Sequence, residues 1–225
     1  MGFSLSSSTQ PGGIPLLFLP GWGFDARLVK LYRLFAGRCL ILPESFVDPA
    51  CFAVELQAFL QSENIAKIAI VGWSMGAQIG LDFCLAHAHL VAQLDLVAMR
   101  SRWPPPEIAA IRTAIAADLP GYMRGFYRKC FLGYKKSFHD FVLALQDDYL
   151  RKLDREILVA GLDYLQNFTP PARVPGAVAV RMIHGRQDVV APVGEMVRLA
   201  GAACEVFPHA GHMVLLDLQK KHQDD

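Results

Sequence analysis

The sequence predicts an α/β protein: a mostly parallel sheet of about six strands, helices on both faces, and a helical insertion late in the chain. Three observations carry this expectation. Apolar runs of strand length recur, separated by segments of helical period. The connections between them are short, which favours parallel strands joined by crossover helices. After Trp103-Pro104-Pro105-Pro106 the strand signal stops, and helical patterning runs on to about residue 169.

Taken in order, residues 1–13 read as a flexible lead ending in Pro11-Gly12-Gly13. The run 14–19 is a buried strand closed by Pro20-Gly21, and Gly21-Trp22-Gly23-Phe24-Asp25 is a glycine-rich loop. Asp25 then caps a helix over 26–35. A strand at 39–42 stops at Pro43, and 51–62 is amphipathic, with Phe52, Leu56, Phe59 and Leu60 on one side. Strand 67–71, helix 77–88 and strand 94–99 complete the first half. Helices follow at 107–117, 121–131, 137–150 and 155–166. Pro170-Pro171 and Pro175-Gly176 mark the return to a strand at 178–183, a helix at 193–200 and a last strand at 204–207. The polar tail from 219 is expected to fray. This divides the chain into a core of 14–103 with 170–218 and a helical cap of 104–169.

Composition narrows the function. A hydrophobic fraction of 53% against 19% charged residues suits a large buried core rather than a disordered chain. With a formal net charge of +1, bulk charge does not argue for nucleic acid or a membrane as partner. The five cysteines form no CxxC pair, which fits a reducing, cytoplasmic setting better than a disulfide framework. The first eight residues lack the basic start and apolar core of a secretory signal, and no apolar run is long enough to cross a bilayer.

The chemistry centres on Gly72-Trp73-Ser74-Met75-Gly76. A Gly-x-Ser-x-Gly between an apolar strand and an apolar helix is the context of a nucleophile elbow. A serine hydroxyl needs a base to take its proton, and the base needs a third group to orient it. On a sheet of this kind those partners follow later strands, in the order acid then histidine. Asp188 stands just past the strand at 178–183, and His212 just past the last one. His209, one loop step nearer the strand than His212, reads as supporting, and His184, His87, Asp82, Asp95 and Cys84 are poorer placed: they lie on helices, before their loops or at the far end of the sheet. Oxyanion stabilisation needs backbone N–H groups, which Met75 after the nucleophile and Trp22 in the glycine loop can supply. No metal-ligand spacing and no phosphate-binding GxxxxGK[ST] occurs, so no cofactor is expected. The insertion carries Arg124, Arg128, Lys129, Lys135 and Lys136, which read either as a solvated helix face or as a dock for an acidic partner.

With these residues assembled, the chain resembles the α/β-hydrolase superfamily. The loop Leu19-Pro20-Gly21-Trp22-Gly23-Phe24, the elbow and the segments Gly161-Leu162-Asp163-Tyr164-Leu165 and His184-Gly185-Arg186-Gln187-Asp188 are similar to its pimeloyl-acyl-carrier-protein methyl ester esterase branch. The resemblance implies a serine carboxylesterase of biotin synthesis, with triad Ser74, Asp188 and His212 and oxyanion donors Trp22 and Met75. It also implies a cap segment near Phe126 and Tyr127 that lines the acyl channel with Trp22, and Arg124, Arg128 and Lys129 as contacts for the acidic carrier. The alternatives are a menaquinone-pathway lyase of the same fold, which would use the triad as a base, and a non-catalytic hydrolase-fold binding protein, against which an intact triad speaks. The branch pattern is broken in two places: Pro20 replaces a histidine, and Pro43-Glu44-Ser45-Phe46 replaces a glycine-rich segment. The lead is also too short for a two-strand opening hairpin, so fewer strands than usual are expected.

Overall fold

A computed structural model describes residues 2–6, 13–174, 176 and 178–224. The strands are β1 (Phe3–Leu5), β2 (Leu16–Leu19), β3 (Leu40–Pro43), β4 (Ile68–Trp73), β5 (Val91–Val97), β6 (Ala179–Gly185) and β7 (Ala203–Phe207). They form one sheet in the order β1-β3-β2-β4-β5-β6-β7, parallel except for the pairing of β1 with β3. Central strands buried on both faces read as unbroken apolar runs, and every residue of β2 and β4 is buried.

Register decides where the loops go. Leu19 pairs with Gly72, Trp73 with Val97, Val97 with Ile183 and Gly185 with Phe207. The carboxyl ends of β2, β4, β5, β6 and β7 are therefore level, and the loops after them emerge at one edge. The chain steps from β2 outward to β3, then back past β2 to β4. That reversal is a switch point, where open α/β sheets leave a crevice for a ligand.

Helices cover both faces. α1 (Arg27–Tyr32), α2 (Phe52–Ser62) and α3 (Met75–Ala86) belong to the first half. A Cβ added at Gly80 of α3 would touch Ile70, Leu19 and Leu94, which places α3 on the face those side chains share. α2 joins it there through Phe52 against Phe83. On the opposite face Leu218 and Gln219 of α9 (Leu215–Asp224) border a groove with Val71 and Asp95. Between β5 and β6 lie α4 (Pro105–Ala117), α5 (Leu119–Cys130), α6 (Lys135–Phe141), α7 (Asp147–Lys152) and α8 (Arg155–Asn167). Asp118 caps α5 through the Gly121 amide at 2.9 Å, and Asp154 caps α8 through the Glu156 amide at 2.8 Å. No helix among the described residues is long and apolar enough to cross a membrane.

Several expectations are corrected. The sheet has seven strands, because part of the lead is not loose: Phe3 pairs with Pro43 and Leu5 with Ile41. Phe3 earns its place by packing on Phe59 and Phe52, at 5.5 and 6.1 Å between ring centroids. Pro11-Gly12 lies outside the described residues. The helix expected at 193–200 is a single 3₁₀ turn, Val193–Glu195. Extended backbone follows it, and Glu195 and Val197 bond to Ser101 and Met99 instead, on either side of an antiparallel bridge between Met196 and Arg100. The helix expected over 137–150 is interrupted by a π turn, Val142–Gln146. The tail does not fray at 219: Leu215, Leu216 and Leu218 are buried and anchor a helix that runs to Asp224. Sheet and helix are thus also found before residue 14 and beyond residue 218.

Candidate active site

β4 runs into α3 with one residue between them, and that residue is Ser74. Its backbone stands at φ 56°, ψ −121°, a region that costs an L-residue of order 1–3 kcal/mol. The surroundings impose it. Ser74 N–H bonds to Val97 O at 2.8 Å while Ser74 O already accepts from Ala77 N at 3.0 Å, the start of α3. A Cβ on Gly72 would lie 2.4 Å from Gly76 O, and one on Gly76 would lie 2.2 Å from Leu19 O. Only glycine fits at either position. The Ser74 hydroxyl makes no capping bond to α3, which leaves it available to a substrate.

Asp188 and His212 meet. His212 Nδ1 and Asp188 Oδ2 are 2.8 Å apart, both buried. Asp188 Oδ1 accepts from the amides of Val190 and Ala191, each at 2.8 Å. Burial pushes the Asp188 carboxyl up, but the His212 ring and these two amides outweigh it, and the group lies below the usual carboxylate range. An ionised carboxylate only accepts, so His212 Nδ1–H is the donor in this bond. The elbow holds this histidine from behind. Trp73 Nε1 donates to His212 O at 2.8 Å, and the two rings lie 5.2 Å apart.

Trp22 stands in the loop after β2, against the elbow: a Cβ on Gly21 would be 3.1 Å from that of Ser74. The Trp22 indole is buried and donates to Leu158 O at 2.9 Å. Neither the Trp22 amide nor the Met75 amide donates a backbone hydrogen bond among the described residues.

Ser74 opens into a cavity of about 500 Å³ beneath α4, α5 and α8. Its walls are mainly apolar, with Trp22, Phe126, Ile111, Leu162 and Val190 among them, and Glu107 and Lys129 as charges. Gly125 of α5 also lines it, and a Cβ there would meet nothing within 4 Å. Phe126 therefore reaches the cavity and faces Trp22 edge-on at 5.1 Å. Tyr127 does not. It is wholly buried on the other side of α5, and its hydroxyl donates to Gly23 O at 2.9 Å. Burial pushes its phenol well above the ordinary value, so it stays a donor. Arg124 and Arg128 are exposed on the outer side of α5, away from the cavity, and Lys129 sits at its rim.

The other candidates stand apart. His87 ends α3 beside Gln57, and His209 is exposed. Asp82 accepts from Tyr164 at 2.6 Å. Asp95 lies within β5, not before it, and pairs with Arg181 of β6. Cys84 is buried, and burial lifts its thiol to about 11, too high for a nucleophile. His184 proves more interesting than its sequence position. It is wholly buried, with Nε2 2.7 Å from Ala191 O and 3.7 Å from Asp188 Oδ2. It therefore braces the segment whose amides bind Asp188. Burial lowers its pKa, more than the Ala191 bond and the Asp188 charge raise it, which keeps it neutral. Tyr134 likewise takes the amide of Gly211, next to His212, at 3.1 Å.

Together the sheet order and the strained serine turn between β4 and α3 define an α/β-hydrolase. Solved structures agree on the fold: an esterase from Exiguobacterium antarcticum superposes with a TM-score of 0.78 at 20% identity, covering 99% of this chain and 92% of its own. The chain belongs to the alpha/beta hydrolase family, whose model matches residues 16–220. Two curated relatives are each named pimeloyl-acyl-carrier-protein methyl ester esterase. One, from Nitrosomonas europaea, is 27% identical over 97% of this chain and 96% of its own length. The other, from Vibrio vulnificus, is 26% identical over 86% and 83%.

Proposed function

We propose that this protein is a serine carboxylesterase that removes a methyl or other small alkyl ester, with pimeloyl-acyl-carrier-protein methyl ester of biotin synthesis as its substrate. The supporting observation is the Asp188–His212 pair at 2.8 Å, tied to the elbow through Trp73, together with a strained Ser74 that lines an apolar cavity. In this reading Ser74 Oγ attacks the ester carbonyl while His212 Nε2 takes its proton. Ionised Asp188 stabilises the imidazolium that forms. The carbonyl oxygen becomes an oxyanion held by the Met75 and Trp22 amides. Collapse breaks the carbonyl–alkoxy bond, and His212 returns its proton to the departing alcohol. Water then gives its proton to His212 and attacks the acyl-enzyme, which releases the carboxylic acid and restores Ser74.

The names of the two relatives support the choice of substrate, and so does the cavity. Trp22 and Phe126 offer apolar walls to an acyl chain. Helices α4 to α8 act as a cap, residues 104–169, on a core of 14–103 and 170–218. The exposed Arg124 and Arg128, with Lys129 at the rim, are the contacts for an acidic carrier outside the cavity. Ser74→Ala tests the reading. It should lower turnover of short p-nitrophenyl esters by about 10³-fold or more and fail to rescue a biotin-requiring strain that lacks its methyl esterase. Circular dichroism should show the fold intact. Activity retained by Ser74→Ala would remove the serine mechanism.

A further inference from the structure

An oxyanion hole works only if its donors already point to where charge will develop. Met75 is fixed by α3, but Trp22 lies in a loop whose next residue, Gly23, has φ +71° and no side chain to restrain it. Within this loop the backbone bond is Phe24 N–H to Gly21 O, at 3.1 Å. Gly21 and Phe24 pack against the elbow, and two further hydrogen bonds come from the cap. The Trp22 indole is tied to Leu158 O of α8, and the Gly23 carbonyl takes the Tyr127 hydroxyl of α5, each at 2.9 Å. α8 also presses on both donor residues through Gly161, where a Cβ would come within 2.7 Å of Trp22 Cδ1 and 3.2 Å of Met75 Sδ.

We propose that Tyr127 is a positioning residue of the oxyanion hole: from a cap helix it pins the Gly23 carbonyl and so fixes the neighbouring Trp22 amide. This rests on the reading of Ser74 as nucleophile. The cap is then part of the catalytic apparatus as well as a wall for the substrate. Tyr127 touches no substrate, because its ring is enclosed by Phe24, Phe141 and Tyr149. Phenylalanine keeps that packing and removes only the hydroxyl.

The experiment compares wild type, Tyr127→Phe and Tyr164→Phe in p-nitrophenyl ester hydrolysis and in inhibition by an alkyl boronic acid, which mimics the tetrahedral intermediate. Tyr164 bonds to Asp82 on α3 and not to the loop, and serves as a cap-to-core control. Tyr127→Phe should lower kcat by about ten- to a hundredfold, with KM within about twofold. Boronate affinity should fall by the same factor, and Tyr164→Phe should change neither. A Tyr127→Phe enzyme with unchanged kcat and boronate affinity overturns the proposal, and so does an equal loss in both variants. If Tyr127→Phe does not fold, Tyr127→Met carries the test. It fills the apolar site with an adaptable side chain and no hydroxyl, and unchanged kcat and boronate affinity there would equally overturn the proposal. Ser74→Ala, assayed alongside, separates the two failures. A serine-independent activity sinks the nucleophile reading, whereas a serine-dependent activity indifferent to Tyr127 sinks only the positioning role.

Discussion

Ser74 sits at φ 56°, in a region open to glycine and costly to a side chain. The strain is local, so it can be measured. Ser74→Gly should be more stable than Ser74→Ala by about 1 kcal/mol, a rise of roughly 2–4 °C in thermal midpoint for a chain of this size. Both variants should be inactive. Equal midpoints would mean that the turn is not strained. His184 makes a second residue-scale prediction. Its folded pKa lies below the ordinary 6.5, so as pH falls past that value the unfolded chain binds a proton that the folded one refuses. Its contribution is complete above about 6.5 and is lost as pH falls toward the depressed folded value. Asp188, also depressed, acts in a lower window, below the ordinary carboxylate range. His184→Gln retains a donor for Ala191 O and should flatten the fall in thermal midpoint between pH 7 and pH 5.5. An unchanged slope would exclude His184 as its source. Ser74, Asp188 and His212 were readable in the sequence because each follows its own strand. The support from His184 was not: its partner Ala191 lies seven residues on, and only the folded loop brings them together.

Elements were legible where an apolar run was long enough to have no other fate. β4 and β5 are such cases, and so are the helices α4, α5 and α8, with their Pro and Asp caps. β1 was not, since three residues hold no periodicity and pairing with β3 is what makes them a strand. The segment 193–200 misled for the opposite reason. Its apolar spacing suits a helix, but residues 99–101 offered its backbone a competing set of hydrogen bonds. α5 shows both the strength and the limit of pattern. Its two faces are well separated, yet which of Phe126 and Tyr127 turns to the cavity depends on how the helix is docked. Its outer face supports a prediction. Arg124→Glu with Arg128→Glu should raise KM for a carrier-bound ester several-fold at low salt, an effect that fades at high salt. Hydrolysis of p-nitrophenyl esters should not change. Equal loss on both substrates would place these arginines in a structural role.

At the scale of the whole molecule, cap and core share one apolar cluster. Met123, Phe131, Phe141 and Leu158 belong to it, along with Leu17, Trp73 and Ile183. Tyrosines stitch its edges. Tyr127, Tyr134, Tyr149 and Tyr164 each hydrogen-bond to a different part of the core, and Tyr32 of α1 reaches back to Ser137 O. The cap should therefore not melt alone. Far-ultraviolet dichroism and tryptophan fluorescence should report one coincident thermal transition, and separate transitions would show an independent cap.

Fastening of this kind bears on traffic through the enzyme. A roof tied down through Tyr127, Tyr134, Tyr149 and Tyr164 resists lifting as one piece, so under the proposed function a ligand would enter along the cavity rather than from above. If the proposed function holds, slender, unbranched chains would enter this cavity more readily than bulky ones, and depth of insertion would matter as much as strength of grip.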